Sequence, residues 1–389
     1  MSVLFFQLAL AATPPAQGPA DVFAAEARPG VSVPGLPMVP VGTEPIINGE
    51  PYEKQDWPET GALVVKLGIQ YGAQTFDFIT PICSSTLIAP DVVLLAAHCV
   101  DEQVLALSAP GADIQEFAWD RKANLTSYLF GAGYNPGVTV ASEAVMHPDF
   151  DIRNFNSWSA LGVSRNDDIA LLFLSEAVED APFAYLPTAE EAEQIVVDNE
   201  VHIVGWGQRS ASDPYSSGVK YGGISHINEL GRHEFQVGGV EQDVRKCHGD
   251  SGGPSFMEVE TDSAATFRLI GVTSHAYDLT DCYTTGGVDT RVDAYLDWIE
   301  EEMVAACDAG TRAWCDWPGI IPPPDADGYH AWEVNPNEPL DPFGNAGGED
   351  AASETAADSE AKGGCSTSAS SAGVAGALVG LGGLLGRRR

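Results

Sequence analysis

Positive charge is what this sequence has least of: 19 Lys and Arg stand against 56 Asp and Glu in 389 residues, a formal charge of −37. Phosphate repulsion would oppose every approach to nucleic acid, so that class of partner is excluded. Metal-binding patterns are scarce as well. The seven cysteines show no paired short spacings, the histidines no His-x-x-x-His, and the carboxylates no calcium-loop spacing, so no metal and no other cofactor is expected. Long apolar runs are absent too. The longest, residues 372–386, is fifteen residues and at about 1.5 Å per residue is short for a stable membrane span, although counting back through Ser366 lengthens it. Membrane contact is therefore expected only through this tail, and the soluble remainder is expected to be a monomer.

The amino terminus carries a second, shorter apolar run, Val3 to Ala12, followed by small residues that suit cleavage. It reads as the core of a signal peptide over residues 1–20, although it lacks a basic start, so the start lies elsewhere or the leader is atypical. The Pro/Ala/Gly-rich stretch that follows reads as a pro-segment ending at 45. Beyond it, alternating apolar and β-branched runs such as Gly61 to Leu67 and Val201 to Val204, separated by Gly, Pro, Asn and Asp, predict an all-β unit over 46–303. Between His98 and Asp168 the spacing is long, and Gly131 to Gly137 predicts an enlarged surface loop. Residues 304–320 form a short Cys-containing extension. From 321 to 371 the composition turns to Pro, Gly, Ala, Ser and acids without apolar periodicity, which reads as a disordered acidic linker.

Chemistry is concentrated in Cys247-His248-Gly249-Asp250-Ser251-Gly252-Gly253-Pro254. It places a serine on a glycine-rich turn whose amides can converge on one point, but a serine hydroxyl needs a base, an orienting carboxylate and oxyanion donors. Upstream lie Leu95-Ala96-Ala97-His98-Cys99 and Asn166-Asp167-Asp168-Ile169-Ala170-Leu171-Leu172. Together, in the order His, Asp, Ser, these segments resemble the three catalytic motifs of the trypsin/chymotrypsin family. Ile46-Ile47-Asn48-Gly49, Met146-His147-Pro148, Gly205-Trp206-Gly207 and Val292 to Ile299 resemble the family's mature amino terminus, a loop, a mid-chain strand and the closing helix.

The resemblance implies two packed six-stranded antiparallel β-barrels with a carboxy-terminal helix, and a serine endopeptidase made as a zymogen and acting on proteins or peptides. Its catalytic residues would be His98, Asp168 and Ser251, with the amides of Gly249 and Ser251 as oxyanion donors; Asp167 is the rival carboxylate. A non-catalytic binding protein or an esterase-like hydrolase on the same fold are the alternatives. The resemblance also implies the disulfides Cys83–Cys99 and Cys247–Cys282. Cys307 and Cys315, with no direct family match, would close a small loop of their own. Activation would free Ile46 to pair with Asp250, by an activating protease that accepts Pro45 before the cut.

The family's specificity pocket maps onto Arg245, Lys246, Ser274, Ala276 and Asp289. A cation at its base argues against cleavage after Arg or Lys. Arg245 would either favour acidic side chains or be neutralised by Asp289 and leave a pocket for small or polar ones. At the other end, Gly364-Cys365, the apolar run and Arg387-Arg388-Arg389 resemble the MYXO-CTERM sorting tail of myxobacterial surface proteins over residues 372–389. That resemblance implies export to the cell surface or medium, processing at Cys365 by a sorting peptidase, and a use for the odd thiol.

Overall fold

Strand-forming sequence runs unbroken on both sides of the Cys83 motif. Thr60–Tyr71 and Gln74–Ala89 form a long hairpin, β2 and β3, in a computed structural model that describes residues 46–330 apart from 72–73, 110, 130–132, 156–161, 209–215 and 279–284. The expected leader, pro-segment, Cys282, Cys365, residues 331–371 of the linker and the sorting tail lie outside the described residues.

Hairpin β2–β3 is joined by β4 (Val92–Leu95), β5 (Ala112–Asp120), β6 (Thr139–Met146) and β7 (Ala170–Leu174) into a closed barrel of order β2-β3-β4-β7-β6-β5. Alternate side chains such as Leu63, Val65 and Leu67 fill it, together with the fully buried Val92 to Leu95 and Ala170 to Leu174. The sheet after it runs β1 (Glu50–Pro51), β9 (Tyr221–Leu230), β10 (Glu234–Val237), β13 (Gly287–Arg291), β12 (Phe267–Ala276), β11 (Pro254–Glu258) and β8 (Glu200–Gly205). Because β8 also pairs with β9, the six strands from β8 to β13 close on themselves as a second barrel around Val201, Ile203, Ile227, Phe235 and Ile270. The two closed six-stranded antiparallel barrels agree with the expected fold.

Helices are few: α1 (Glu102–Ser108), α2 (Ile152–Phe155), α3 (Ala189–Ala192) and α4 (Leu296–Ala309). A 3-10 turn over Val292–Tyr295 leads into α4, which buries Ile299 and Met303 and stops where Gly310 takes a left-handed φ of 70°. Cys307 and Cys315 are disulfide-bonded to each other.

The chain then departs from the sequence expectation. Residues 321–330, read as the beginning of the linker, are tied to the barrels at three points: Ile321 is buried, Pro324 O accepts from Ser263 Oγ at 2.6 Å, and Ala264 N donates to Asp325 O at 3.1 Å. Pro322, Pro323 and Pro324 carry no amide hydrogen, and a turn over Asp325 to Tyr329, closed by Gly328 N to Asp325 O at 2.9 Å, follows them.

Candidate active site

Antiparallel pairing of Leu95 with Ala170 aligns the end of β4 with the start of β7, and the candidate base and carboxylate lie just beyond those two ends. His98 sits in the 3-10 turn Ala97–Cys99, and Asp168 lies two residues before β7. The turn is tied back to β3 by the Cys83–Cys99 disulfide. His98 Nδ1 lies 2.7 Å from Asp168 Oδ2, and the His98 amide donates to Asp168 Oδ1 at 2.9 Å.

Asp168 is completely buried, and the second barrel holds it as firmly as the first. Ser274 Oγ on β12 donates to its Oδ2 at 2.6 Å, and Thr290 Oγ1 on β13 donates to its backbone carbonyl at 3.0 Å. Burial by itself would raise this carboxyl, but the charge and hydrogen bonds of His98 and the Ser274 hydroxyl outweigh it and hold the group below the usual carboxylate range. Asp167, the rival, is engaged elsewhere: its Oδ1 accepts from Arg165 Nε at 2.8 Å and from Tyr295 OH at 2.9 Å.

Ser251 is carried by the turn that enters β11. Asp250 N donates to Cys247 O, Gly253 N to Asp250 O and Gly252 N to Thr273 O, whereas the amides of Gly249 and Ser251 donate to no acceptor among the described residues. Gly249 and Gly252 have φ of 91° and 77°, and a Cβ on Gly252 would lie 2.4 Å from Ser84 O. Only glycine fits there without displacing the turn.

Ser84 went unnoticed in the sequence, yet it organises this turn from the first barrel. Its amide donates to Ser251 O at 2.8 Å, its hydroxyl donates to Gly249 O at 3.1 Å, and that hydroxyl accepts from Trp206 N at 3.0 Å. A serine beside a cysteine carries no signal of such a role. Thr290, between Asp289 and Arg291, likewise lies in no motif that would mark it.

Asp250 is fully buried and accepts from Gly207 N and Cys247 N, both at 2.9 Å; burial pushes its carboxyl up to about 7. Gly205 and Gly207 make room for it, since a Cβ on either would collide with its carboxyl group. Ile46 is buried among Ile195, Val201 and Ile203, while Ile47 and Arg245 exchange backbone hydrogen bonds of 2.9 and 3.0 Å.

Among the residues expected to line a specificity pocket, the expected Arg245–Asp289 pair is not formed. Arg245 does not meet Asp289: its Nη1 donates to Val240 O at 2.7 Å. The partner of Asp289 is Lys246, at 2.7 Å, with both side chains wholly buried and Lys246 Nζ also 2.9 Å from Ser255 Oγ. Ala276 packs beside Cys247 and Ile47. Cys247 is disulfide-bonded, and its expected partner Cys282 lies outside the described residues.

Among the described residues, two clusters have metal-ligand composition. In one, Cys83 and Cys99 are consumed by their disulfide; in the other, Arg165 donates to both carboxylates beside His147, those of Asp149 and Asp167. Neither offers an open set of donors.

Comparison with known proteins gives the same picture. The family model described as Trypsin matches residues 46–299. Similar curated proteins include melanization protease 1 of Drosophila melanogaster, 31% identical over 57% of this chain and 58% of the relative. Chymotrypsin-like elastase family member 3B of Macaca mulatta is 29% identical over 67% of this chain and 94% of its own length, and trypsin of Saccharopolyspora erythraea is 29% identical over 67% and 99%. The chain thus spans little more than half of the first of these relatives and nearly all of the other two. Fold and site together define a serine endopeptidase built on two β-barrels. The chain belongs to the trypsin family.

Proposed function

We propose that this chain is an exported endopeptidase that cleaves peptide bonds through Ser251, with His98 as general base and acid and Asp168 as the orienting carboxylate. Ser251 Oγ attacks the scissile carbonyl while His98 Nε2 takes its proton and later returns it to the leaving amine. Asp168, held by Ser274 and Thr290, fixes the imidazole so that Nε2 faces the serine, and stabilises the charged ring that forms. The amides of Gly249 and Ser251 stabilise the tetrahedral oxyanion. The observation that carries this reading is that these two amides have no acceptor among the described residues, while those of Cys247, Asp250, Gly252 and Gly253 in the same turn are paired.

The same reading makes the chain a zymogen. Asp250 waits in a buried site where it is raised by desolvation, and a free amino group at Ile46 would supply the missing counter-charge. Residues 1–45 supply the leader and pro-segment, and the tail around Cys365 retains the protein at the cell surface until it is processed. The test is to compare the uncut chain with protein cut between Pro45 and Ile46 on a denatured protein substrate. Hydrolysis should appear only in the cut form and vanish in Ser251→Ala; equal hydrolysis by the uncut chain would overturn the zymogen reading.

A further inference from the structure

Just before β7 the chain makes a turn that an ordinary residue resists. Asp167 takes a left-handed φ of 52°, and Ile169 N donates to Asp167 O at 3.0 Å, which leaves Asp168 at the apex of a three-residue turn. Aspartate tolerates the left-handed region better than most side chains, but such a conformation persists only where its surroundings hold it on both sides. On the far side Asp168 is buried against His98, Ser274 and Thr290. On the near side the hold comes from Glu234 of β10, a residue that lies in no motif.

Glu234 is wholly buried, and its carboxylate meets four donors from the approach to Asp168. Oε2 accepts from Ser164 N at 2.7 Å and Ser164 Oγ at 3.4 Å, and Oε1 accepts from Asn166 N at 3.1 Å and Asn166 Nδ2 at 2.9 Å. Asn166 Nδ2 also donates to Ser164 Oγ at 3.2 Å, which ties the two gripped residues to each other. Glu234 stands directly opposite Thr290 in the β10–β13 ladder, so both side chains leave the same face of the second barrel. That one rung therefore holds residues 164 and 166 through Glu234 and the carbonyl of residue 168 through Thr290.

We infer that Glu234 is a positioning residue for peptide hydrolysis: by fixing residues 164–166 it sets the turn at Asp167, and with it the direction from which Asp168 meets His98. This rests on the reading of Ser251, His98 and Asp168 as the catalytic group. The grip needs two acceptor oxygens, because every hydrogen bond it makes comes from a donor. A carboxamide in this place keeps one oxygen and turns an NH2 toward the other pair of donors. With residues 164–166 loosened, the Asp168 carboxylate moves off the line to His98 Nδ1, and a displacement of about 1 Å at a catalytic group is enough to cost about a hundred-fold in rate. An imidazolium whose counter-charge has moved away is also less favoured, so the acid limb of the pH–rate profile moves to lower pH.

The experiment measures kcat and KM of protein cut at Ile46 from about pH 5 to about pH 9 on a fluorogenic peptide that the native protein cleaves, with thermal melts to report folding. Glu234→Gln should lower kcat by about ten-fold or more, leave KM within about two-fold, and move the midpoint of the acid limb of kcat/KM down by about half a pH unit or more. Glu234→Ala, which removes both oxygens, should show the larger loss and the larger shift. Asp91→Ala, whose buried partners are Arg312 and Trp314, is destabilised away from this turn and should keep the native midpoint. Folded Glu234 variants with native kcat and midpoint overturn the inference, and so does a shift of the same size in Asp91→Ala, which would make it a result of general destabilisation. If neither Glu234 variant folds, Asn166→Ala decides: it removes the side-chain part of the grip, and a midpoint that stays native overturns the inference while a downward shift supports it. Cut native protein that hydrolyses no peptide overturns the catalytic reading itself, and the role of Glu234 with it.

Discussion

Two neighbouring residues, Arg245 and Lys246, show where local sequence stops being informative. Both are cations before the same cysteine, yet one donates to a loop carbonyl and the other is buried against an aspartate 43 residues away. Direction of the side chain decides between them, and sequence spacing does not record it. The candidate catalytic residues His98, Asp168 and Ser251 stand out for the opposite reason, since each sits in a run that resembles one of the family's motifs. Ser251→Ala and His98→Ala should each lower peptide hydrolysis by at least about a thousand-fold without loss of fold, because the two act as one unit. Asp168→Asn should cost at least about a hundred-fold. Asp167→Asn, which removes only the contacts to a half-exposed Arg165 and to Tyr295, should stay within about five-fold, and kinetics on the purified variants separate the two aspartates.

Asp250 gives the residue scale a pH dependence. Its folded carboxyl is raised to about 7, whereas an unfolded aspartate titrates near 3.9. The folded uncut chain therefore holds this proton more tightly, so the group's stabilisation is complete below about pH 4 and is lost as pH rises through about 7. Asp168, depressed in the folded state, acts with the opposite sign: its contribution is present above the ordinary carboxylate range and fades as the pH falls through its own lowered value. Urea midpoints of the uncut chain should fall between pH 5 and pH 8, and Asp250→Asn should flatten that fall. An unchanged slope in the variant would assign the effect to another group.

Among the elements, the stretch that follows α4, residues 310–330, was least readable in advance. The Pro-rich composition of 321–330 matches that of an unpacked linker, yet carbonyls of Pro324 and Asp325 tie it to the loop at 263–264, and the extension before it is held by one arginine rather than by apolar periodicity. Arg312 forms a wholly buried pair with Asp91 at the β3–β4 turn and also donates to Met303 O and Pro318 O. Trp314 N donates to the same aspartate. Asp91→Ala should destabilise the protein by about 3–5 kcal/mol, since it strands a buried guanidinium. Truncation after residue 303, where the family resemblance ends, should lower the melting temperature, whereas truncation after residue 330 should not. The closing helix, by contrast, was legible through the likeness of Val292 to Ile299 to the family's closing segment, and it docks by the face that carries Ile299 and Met303.

For the whole molecule, the uneven charge and the ends of the chain matter most. With −37 formal charges, the protein repels anionic surfaces at low salt, and the arginines at 387–389 are the exception to that field. Deleting residues 364–389 should release a cell-associated protein into the medium, measured by fractionation and immunoblotting; unchanged retention would remove the tail from the account of localisation. Alternation and turn residues along residues 46–303 made an all-β unit legible, and the resemblance supplied its two barrels, while the join between barrels was not legible, since the contacts of Ser84, Ser274 and Thr290 are made by single hydroxyls without a motif. The central claim is that this join assembles a nucleophile at Ser251. Protein cut at Ile46 and treated with a fluorophosphonate should acquire a single label on Ser251, abolished by Ser251→Ala and by His98→Ala. Peptide hydrolysis that survives in Ser251→Ala, or cut native protein that takes up no label, would contradict it.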